Sequence, residues 1–254
     1  MNIPTPLCAI SAFCDIRYVF TKGCSLMQTF VLVLAFTVLV GCQSTPPQSR
    51  SAAPPPRIPA PAGFVDGTGL SKQLKTMDVA VTPPGATLLG QYYPTNTLAE
   101  LLASRSPELS PYGRAFLLLE FASVSEATEG FAKLLADAKT QEPGPVNLDD
   151  PEFKEAARHL EKQGIVTTGA TALGSFLVTP TAYAASMMAT NKGQIMDKPQ
   201  TGVPWVYSFA FMRLGRQLLA LGVSYPFHNP ADVASSKKTL LDWIREIEKQ
   251  NVVQ

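Results

Sequence analysis

Cysteine and histidine are scarce in this sequence, and their scarcity excludes several kinds of chemistry. The cysteines stand at positions 8, 14, 24 and 42, and no cysteine follows Cys42. Disulfide bonds, thiolate metal sites and cysteine nucleophiles are therefore excluded from the rest of the chain. The histidines are His159 and His228 alone, so no histidine pair is spaced to bind zinc.

An excess of charge is also missing. The chain has 21 Lys and Arg against 20 Asp and Glu, a formal net charge of +1 at pH 7. The first 41 residues contain Asp15, Arg17 and Lys22, so the remainder carries equal numbers of acidic and basic side chains. Nucleic acids and anionic lipid surfaces attract concentrated positive charge. The sequence therefore predicts no nucleic-acid partner and no polybasic contact with a membrane.

The chain lacks the glycine and serine motifs of common enzymes. It contains no Gly-x-Ser-x-Gly elbow and no P-loop, and at 67–69 it has only part of a dinucleotide glycine pattern. Asp149 and Asp150 form an acidic pair, but Asp150 before Pro151 is explained as the N-cap of a helix. His159 is expected to be a solvated side chain on that helix. We therefore predict no catalytic residue, no metal and no cofactor.

An apolar run at positions 30–40 ends in the tetrapeptide Leu39-Val40-Gly41-Cys42. At about 1.5 Å per residue the run is shorter than the roughly 30 Å hydrocarbon core of a bilayer, which suits a signal peptide better than an uncleaved anchor. Its Leu, Gly and Cys resemble the lipobox of bacterial lipoproteins. The resemblance implies cleavage between Gly41 and Cys42 and acylation of Cys42. Because Gln43 rather than Asp follows, it also implies sorting to the periplasmic face of the outer membrane.

The proposed cleavage site between Gly41 and Cys42 divides the chain, and we predict three segments. Residues 1–41 are expected to be a signal peptide, whose long mixed beginning leaves the translation start open. Residues 42–63 combine the lipidated cysteine with a proline-rich tether, because proline cannot donate to a helix or a sheet and keeps the chain extended. Residues 64–254, about 190 in number, are enough for a single globular domain.

Within 64–254 the patterns predict both strands and helices. Short apolar or alternating segments predict strands at 76–81, 86–93, 114–121, 165–178 and 182–190. Capping boxes at Thr97 and Ser123 predict helices that end near about 103 and about 140. A further helix is predicted to begin at Pro151 and to be ended by Gly164, and the polar segment 191–202 is predicted to be a loop.

A hairpin rich in aromatic residues is predicted near the end of the chain. Its second strand, at 217–225, follows a turn at Gly215. The first strand carries rings at alternate positions, namely Trp205, Tyr207, Phe209 and Phe211. These rings are expected to form either part of the core or one wall of a small-molecule pocket.

A final helix is predicted to begin at Asn229-Pro230. Its apolar stripe, which suits packing on the sheet, consists of Val233, Leu240, Leu241, Ile244 and Ile247. Tyr225, His228 and Asn229 lie between the strand end and the helix start, where loops often contact ligands. We predict these three as candidate ligand contacts. A structural hydrogen bond in the loop is the alternative explanation for His228.

The order of elements indicates an α+β domain with a largely antiparallel sheet packed with helices. The segment 205–254 combines an aromatic strand, Arg216 after a glycine turn, Tyr225-Pro226 at a strand end and a helix that carries Trp243. In these features it is similar to the end of PsbP-like and DcrB-like domains. The resemblance implies an α/β/α sandwich.

We therefore predict a membrane-anchored bacterial envelope lipoprotein with a non-catalytic role in binding, scaffolding or envelope assembly. Its partners would be the lipid bilayer, through acylated Cys42, and another envelope protein. One alternative is a periplasmic enzyme, since active sites assembled from distant residues need not show as motifs. The other is a small-molecule-binding lipoprotein.

Overall fold

The computed structural model describes residues 56–83, 85–103, 110–138, 143–149, 154, 158, 161, 165–195 and 198–251. The strands in this part of the chain are β1 Phe64–Asp66, β2 Thr87–Pro94, β3 Tyr112–Glu120, β4 Gly144–Pro145, β5 Ile165–Val178, β6 Ala182–Ile195, β7 Lys198–Leu214 and β8 Gln217–Pro226. The helices are α1 Lys72–Val81, α2 Thr95–Leu102, α3 Val124–Ala138 and α4 Pro230–Asn251. Of the helix predicted between Pro151 and Gly164, only Lys154, Arg158 and Glu161 are described, and all three are helical.

These eight strands form one sheet in the order β1-β2-β3-β8-β7-β6-β5-β4. Every pair of neighbours in it is antiparallel. Two runs of consecutive strands, β1 to β3 and β4 to β8, therefore meet along one seam between β3 and β8. The predicted α+β class with a largely antiparallel sheet is confirmed.

One face of the sheet, which we call the α4 face, is covered by α4. Leu240, Ile244 and Ile247 are buried there, as their helical spacing predicts. Trp243 lies beside them, and its ring meets the ring of Tyr92 edge-to-face with centroids 5.2 Å apart. The predicted helix is confirmed, and the indole joins its apolar stripe.

Residues 57–61 form a strap that is hydrogen-bonded to α4. The Nε1–H of Trp243 donates to the carbonyl oxygen of Pro59 at 2.6 Å. The side chain of Asn251 accepts from the N–H of Arg57 at 3.1 Å and donates to its carbonyl oxygen at 2.8 Å. This stretch is predicted as tether, but in the structure it lies against the domain.

The opposite face, which we call the α3 face, is covered at its two ends by different helices. At one end Phe131 of α3 packs with Tyr183, Phe209 and Phe211. At the other end α1 and α2 pack over β2 and β3, with Leu74 of α1 completely buried. Helices therefore lie on both faces of the sheet, which gives an α/β/α arrangement.

The segment 76–81 is helical, and the predicted strand there is wrong. It belongs to α1, whose N-cap Ser71 accepts a hydrogen bond from the Leu74 N–H through its side chain at 3.1 Å. Leu74 and Asp78 are both buried, and their spacing of four residues is that of one helix face. The two valines of the segment favour a strand by propensity, but capping and burial along the helix outweigh them.

The segment 191–202 is part of a long hairpin, and the predicted loop there is wrong. β6 runs to Ile195 and β7 begins at Lys198, and Lys192 pairs with Thr201 across the two strands. An antiparallel strand needs apolar residues only on a covered face, so polar composition does not prevent pairing.

The two predicted capping boxes have different outcomes. α2 is present, but it begins at Thr95, and the Thr97 hydroxyl lies 2.7 Å from the Ser110 hydroxyl rather than capping the helix. At α3 the predicted cap is confirmed, because the Glu126 N–H donates to Ser123 Oγ at 3.1 Å.

Candidate functional site

A group of polar and aromatic residues lies on the α3 face, between its two helix-covered ends. Strand pairing places Gln91 of β2, Arg114 of β3 and Gly222 of β8 in one row across the sheet. The next row places Tyr112 of β3 and Tyr207 of β7 on either side of β8. We call these five residues the arginine cluster.

The guanidinium of Arg114 is half-buried, and its charge is not paired within the described part of the chain. None of the ion pairs there includes Arg114, and its buried Nε–H has no hydrogen-bond acceptor. The guanidinium carbon lies 4.6 Å from the centre of the Tyr112 ring, a cation–π contact. Donors withdrawn from water without an acceptor cost free energy, so this arrangement favours an acceptor supplied from outside.

Gln91, the neighbour of Arg114 across the strands, is buried with an unsatisfied amide. It is 0% exposed, and among the described residues neither its side-chain oxygen nor its nitrogen has a hydrogen-bond partner. The Tyr93 hydroxyl is near it, but the two do not meet hydrogen-bond geometry. Burial raises the pKa of Tyr93 to about 12, so the phenol is neutral at physiological pH. Buried polar groups in native proteins are normally satisfied, which makes this exception a sign of a site.

Asp78 of α1 is the buried carboxylate whose charge interacts with Arg114. Its Oδ2 accepts a hydrogen bond from the Gly69 N–H at 2.8 Å, whereas Oδ1 has no partner among the described residues. Burial raises the pKa of Asp78, and the Gly69 N–H and the charge of Arg114 offset part of that rise. The carboxyl therefore takes up a proton at a higher pH than a solvated aspartate does, and when ionised it offsets part of the charge of Arg114.

The Tyr207 hydroxyl is held by a chain of polar side chains. It accepts a hydrogen bond from Asn191 Nδ2 at 2.7 Å, and Asn191 Oδ1 accepts one from Thr167 Oγ1 at 2.9 Å. Burial, with Tyr112 close by, raises the pKa of Tyr207 well above the ordinary value. The Trp205 ring packs on Tyr112 with centroids 5.6 Å apart. These contacts fix an aromatic wall beside Arg114.

Gly222 leaves an open space in the middle of the cluster. A Cβ built at this position would have no atom within 4 Å, although the residue lies in the sheet between Arg114 and Phe209. The neighbours of Gly222 across the strands are a cationic residue, Arg114, on one side and an aromatic residue, Phe209, on the other. The floor of the open space is bare backbone, which lets another molecule approach closely.

The predicted ligand contacts near the start of α4 lie elsewhere. The Tyr225 hydroxyl is 2.9 Å from Thr239 Oγ1 on the α4 face, the side opposite the arginine cluster. His228 and Asn229 are exposed, and their backbone N–H groups donate to Asp232 Oδ2 at 2.7 and 2.9 Å. This loop therefore supplies the N-terminal cap of α4. A ligand contact there stays a prediction, as does modification at Gly41 and Cys42, which lie outside the described residues.

The aromatic hairpin contributes to the core as predicted, and its role as a pocket wall stays a prediction. Phe209 and Phe211 belong to the core beneath α3. Trp205 and Tyr207, farther along β7, stand beside Tyr112 and Asn191 at the arginine cluster. The same alternation of rings therefore continues from the core to the arginine cluster.

Arg114 and Gln91 are the residues that sequence reasoning missed. Each is a polar residue inside a segment predicted to be a strand, and Arg114 directly precedes the apolar run 115–119. A polar side chain in a strand expected to be covered on both faces is a usable signal, because burial of such a group has a cost. Their neighbours in space come from distant strands, so local sequence patterns do not reveal the cluster.

Metal-binding clusters and membrane-spanning helices are both absent from the residues that the structure describes. These residues contain no gathering of three or more His, Cys, Asp or Glu side chains able to hold a metal ion. They also contain no helix that is both long and apolar enough to cross a bilayer.

Comparisons with known proteins give limited similarity. No protein-family model matches the chain, and no curated protein does. Among solved structures, the Saccharomyces cerevisiae Ran-binding protein Mog1p is 16% identical, with 76% of this chain and 85% of that chain covered and a TM-score of 0.30. The extracellular domain of PknH from Mycobacterium tuberculosis is 11% identical, with coverage of 68% and 70% and a TM-score of 0.29. The α+β assignment rests on the chain's own sheet and helices.

Replacement of Asp78 by Asn is expected to raise the midpoint of thermal unfolding at neutral pH. Because burial raises the pKa of Asp78 in the folded protein, the folded state holds this proton more tightly than the unfolded chain. The carboxyl therefore favours folding below its unfolded pKa, and that contribution is lost as the pH rises through the folded pKa. The amide oxygen of the introduced asparagine still accepts from the Gly69 N–H.

Melting curves recorded from about pH 4 to about pH 8 test this linkage. The variant should show a flatter dependence on pH than the unmodified protein. Asp149→Asn is the control, because Asp149 is exposed and its ion pair with Lys154 at 2.8 Å lowers its pKa. A lower midpoint for Asp78→Asn at neutral pH would show that the ionised carboxylate stabilises the fold.

Proposed function

We propose that this protein is a lipid-anchored component of the bacterial cell envelope whose α+β domain binds a ligand at the arginine cluster without transforming it. The observation that carries the binding role is the half-buried guanidinium of Arg114. It forms no ion pair among the described residues, its buried Nε–H has no acceptor there, and it stands beside open space at Gly222. A buried donor without an acceptor costs the fold free energy, which a ligand that supplies the acceptor would offset.

The composition of the cluster favours binding over catalysis. It offers a cation, phenol hydroxyls and an amide, which hold and orient a ligand. Its nearest acidic group, Asp78, has one oxygen committed to the Gly69 N–H. Both tyrosines with a raised pKa, Tyr93 and Tyr207, are neutral near pH 7 and therefore poor bases.

The anchor is proposed from the sequence. The lipobox-like Leu39-Val40-Gly41-Cys42 supports acylation of Cys42 and attachment to a bilayer, and Gln43 supports the periplasmic face of the outer membrane. The proline-rich stretch that follows would act as a spacer. The strap at 57–61 would then set the point at which the spacer leaves the domain.

Replacement of Cys42 by Ser is expected to abolish lipid attachment and to leave an unprocessed precursor. The thiol is the acceptor of the diacylglycerol in the lipobox resemblance, and a serine hydroxyl does not replace it. Incorporation of a radioactive fatty acid in growing cells, followed by gel separation, measures the modification directly.

Cys24→Ser is the matched control for this experiment. Position 24 lies in the predicted signal peptide, so this variant should be labelled and processed as the unmodified protein is. Label that persists in Cys42→Ser, or that disappears only in Cys24→Ser, would refute the proposed anchor. The result is independent of what the domain binds.

A further inference from the structure

We infer that the arginine cluster binds an oxyanion, a carboxylate or a phosphate ester, carried on a small aromatic molecule. This inference rests on the proposed binding role and names the chemistry of the ligand. Two features of the site support it: a guanidinium whose Nε–H lacks an acceptor among the described residues, and an open space at Gly222 that has an aromatic residue as its neighbour across the strands.

The guanidinium determines the charged end of the ligand. Arg114 lies over the Tyr112 ring, which occupies the flat face of the group and leaves N–H donors at its edge. A carboxylate or phosphate matches that edge with two parallel hydrogen bonds, which are stronger when the site is partly desolvated. A neutral ligand satisfies the donors but leaves the charge unpaired.

One neighbour of Arg114 adds to the preference for an anion, and another reduces it. The buried amide of Gln91, next to Arg114 in the sheet, has neither its N–H donor nor its carbonyl oxygen satisfied among the described residues, so it can offer a donor to an anion. Asp78 repels an anion when it is ionised, and it offsets part of the charge of Arg114. The guanidinium therefore carries the preference for an anion.

The open space at Gly222 determines the uncharged end. Phe209 borders it across the sheet from Arg114. Tyr207 and Tyr112 stand in the next row, with Trp205 packed on Tyr112. A planar ring seated over the glycine backbone would meet these side chains with offset or edge contacts. Arg114 and the neighbouring aromatic residues together favour a ligand that has an anionic group next to a ring.

Intrinsic tryptophan fluorescence provides the measurement. The chain has two tryptophans, and Trp205 is in the wall of the cluster, whereas Trp243 lies under the strap on the opposite face. The full-length protein in detergent micelles is titrated with benzoate, phenyl phosphate and neutral benzamide. Benzoate or phenyl phosphate should give a saturable change with an affinity at least about tenfold higher than that of benzamide.

Two substitutions with matched controls place the binding at the cluster. Arg114→Gln should weaken binding of the anion at least about tenfold. Arg213→Gln should leave it unchanged, because Arg213 also has a buried, unpartnered Nε–H but lies in another part of β7. Gly222→Val should block binding of the anion, because the new side chain fills the open space. Gly169→Val, on β5, should leave binding unchanged. The two glycines are matched, because a Cβ built at either one meets no atom within 4 Å.

The outcomes separate this inference from the proposed binding role. Equal affinity for benzoate and benzamide overturns the oxyanion assignment. If Gly222→Val then abolishes binding of both molecules, the cluster is still a binding site, and the proposed binding role stands. Unchanged anion affinity in a folded Arg114→Gln overturns the assignment to Arg114. No saturation with any probe overturns the ligand class proposed here. A preference between benzoate and phenyl phosphate tells which of the two oxyanions the site takes.

Discussion

Replacement of Trp243 by Ala is expected to lower the free energy of unfolding by about 3–5 kcal/mol. The indole is 1% exposed and packs edge-to-face on Tyr92 with centroids 5.2 Å apart. Its Nε1–H also holds the strap through the Pro59 carbonyl oxygen at 2.6 Å. Truncation would therefore leave a cavity on the α4 face and remove a donor from the strap at the same time.

Trp243→Phe separates these two effects. The smaller ring keeps most of the packing on Tyr92 but has no N–H, so the strap loses its hydrogen bond and the cost should be about 1–3 kcal/mol. Urea unfolding followed by far-UV circular dichroism measures both variants. A Trp243→Ala variant whose free energy of unfolding lies within about 1 kcal/mol of that of the unmodified protein would contradict the packing described for α4.

Replacement of Ile244 by Ala is expected to cost about 2–5 kcal/mol and to lower the unfolding midpoint sharply. Ile244 is 2% exposed and sits between Leu240 and Ile247 on the buried stripe of α4. A domain's stability is about 5–15 kcal/mol, so this single truncation removes a large share of it.

Lys238→Ala on the same helix is the matched control. Lys238 faces solvent, with its side chain 78% exposed in an ion pair with Asp242 four residues on. Exposed ion pairs contribute little to stability, and alanine favours a helix, so the midpoint should barely move. Equal midpoints for Ile244→Ala and Lys238→Ala in thermal melts would mean that α4 does not pack as described.

The parts of the fold that the sequence predicts well are those with a strong local pattern. The strands at 86–93, 114–121 and 165–178 are continuous or alternating apolar segments, and each is present. The final helix follows from apolar residues at helical spacing and is also present. The strand prediction for 76–81 fails because its β-branched composition favours a strand, whereas the cap at Ser71 favours a helix. Only burial in the folded domain decides between the two.

The site was less accessible to sequence reasoning than the fold. Trp205 and Tyr207 are indicated by the alternating rings of the hairpin, since one interpretation of them is a pocket wall. Arg114 gives the signal of a polar residue in a strand expected to be covered, but its proximity to Gly222 exists only through the pairing of β3 with β8. His228 and Asn229 stand in a loop of the kind that often contacts ligands. In the structure their N–H groups donate to Asp232 in the first turn of α4, and Asn229 Oδ1 caps the helix by accepting from the Ala231 N–H.

The seam between β3 and β8 has a consequence for the kinetics of folding. Tight connections join β5 to β6, β6 to β7 and β7 to β8, and connections that contain α1 or α2 join β1 to β2 and β2 to β3. The seam joins Arg114 to Gly222 across about a hundred positions of chain and has the larger entropic barrier. We expect the two runs to acquire structure first and the seam to form late. The row that contains Arg114 would be assembled only at that last step, so a nascent or partly folded chain would present no site, and ligand would select and stabilise the completed sheet.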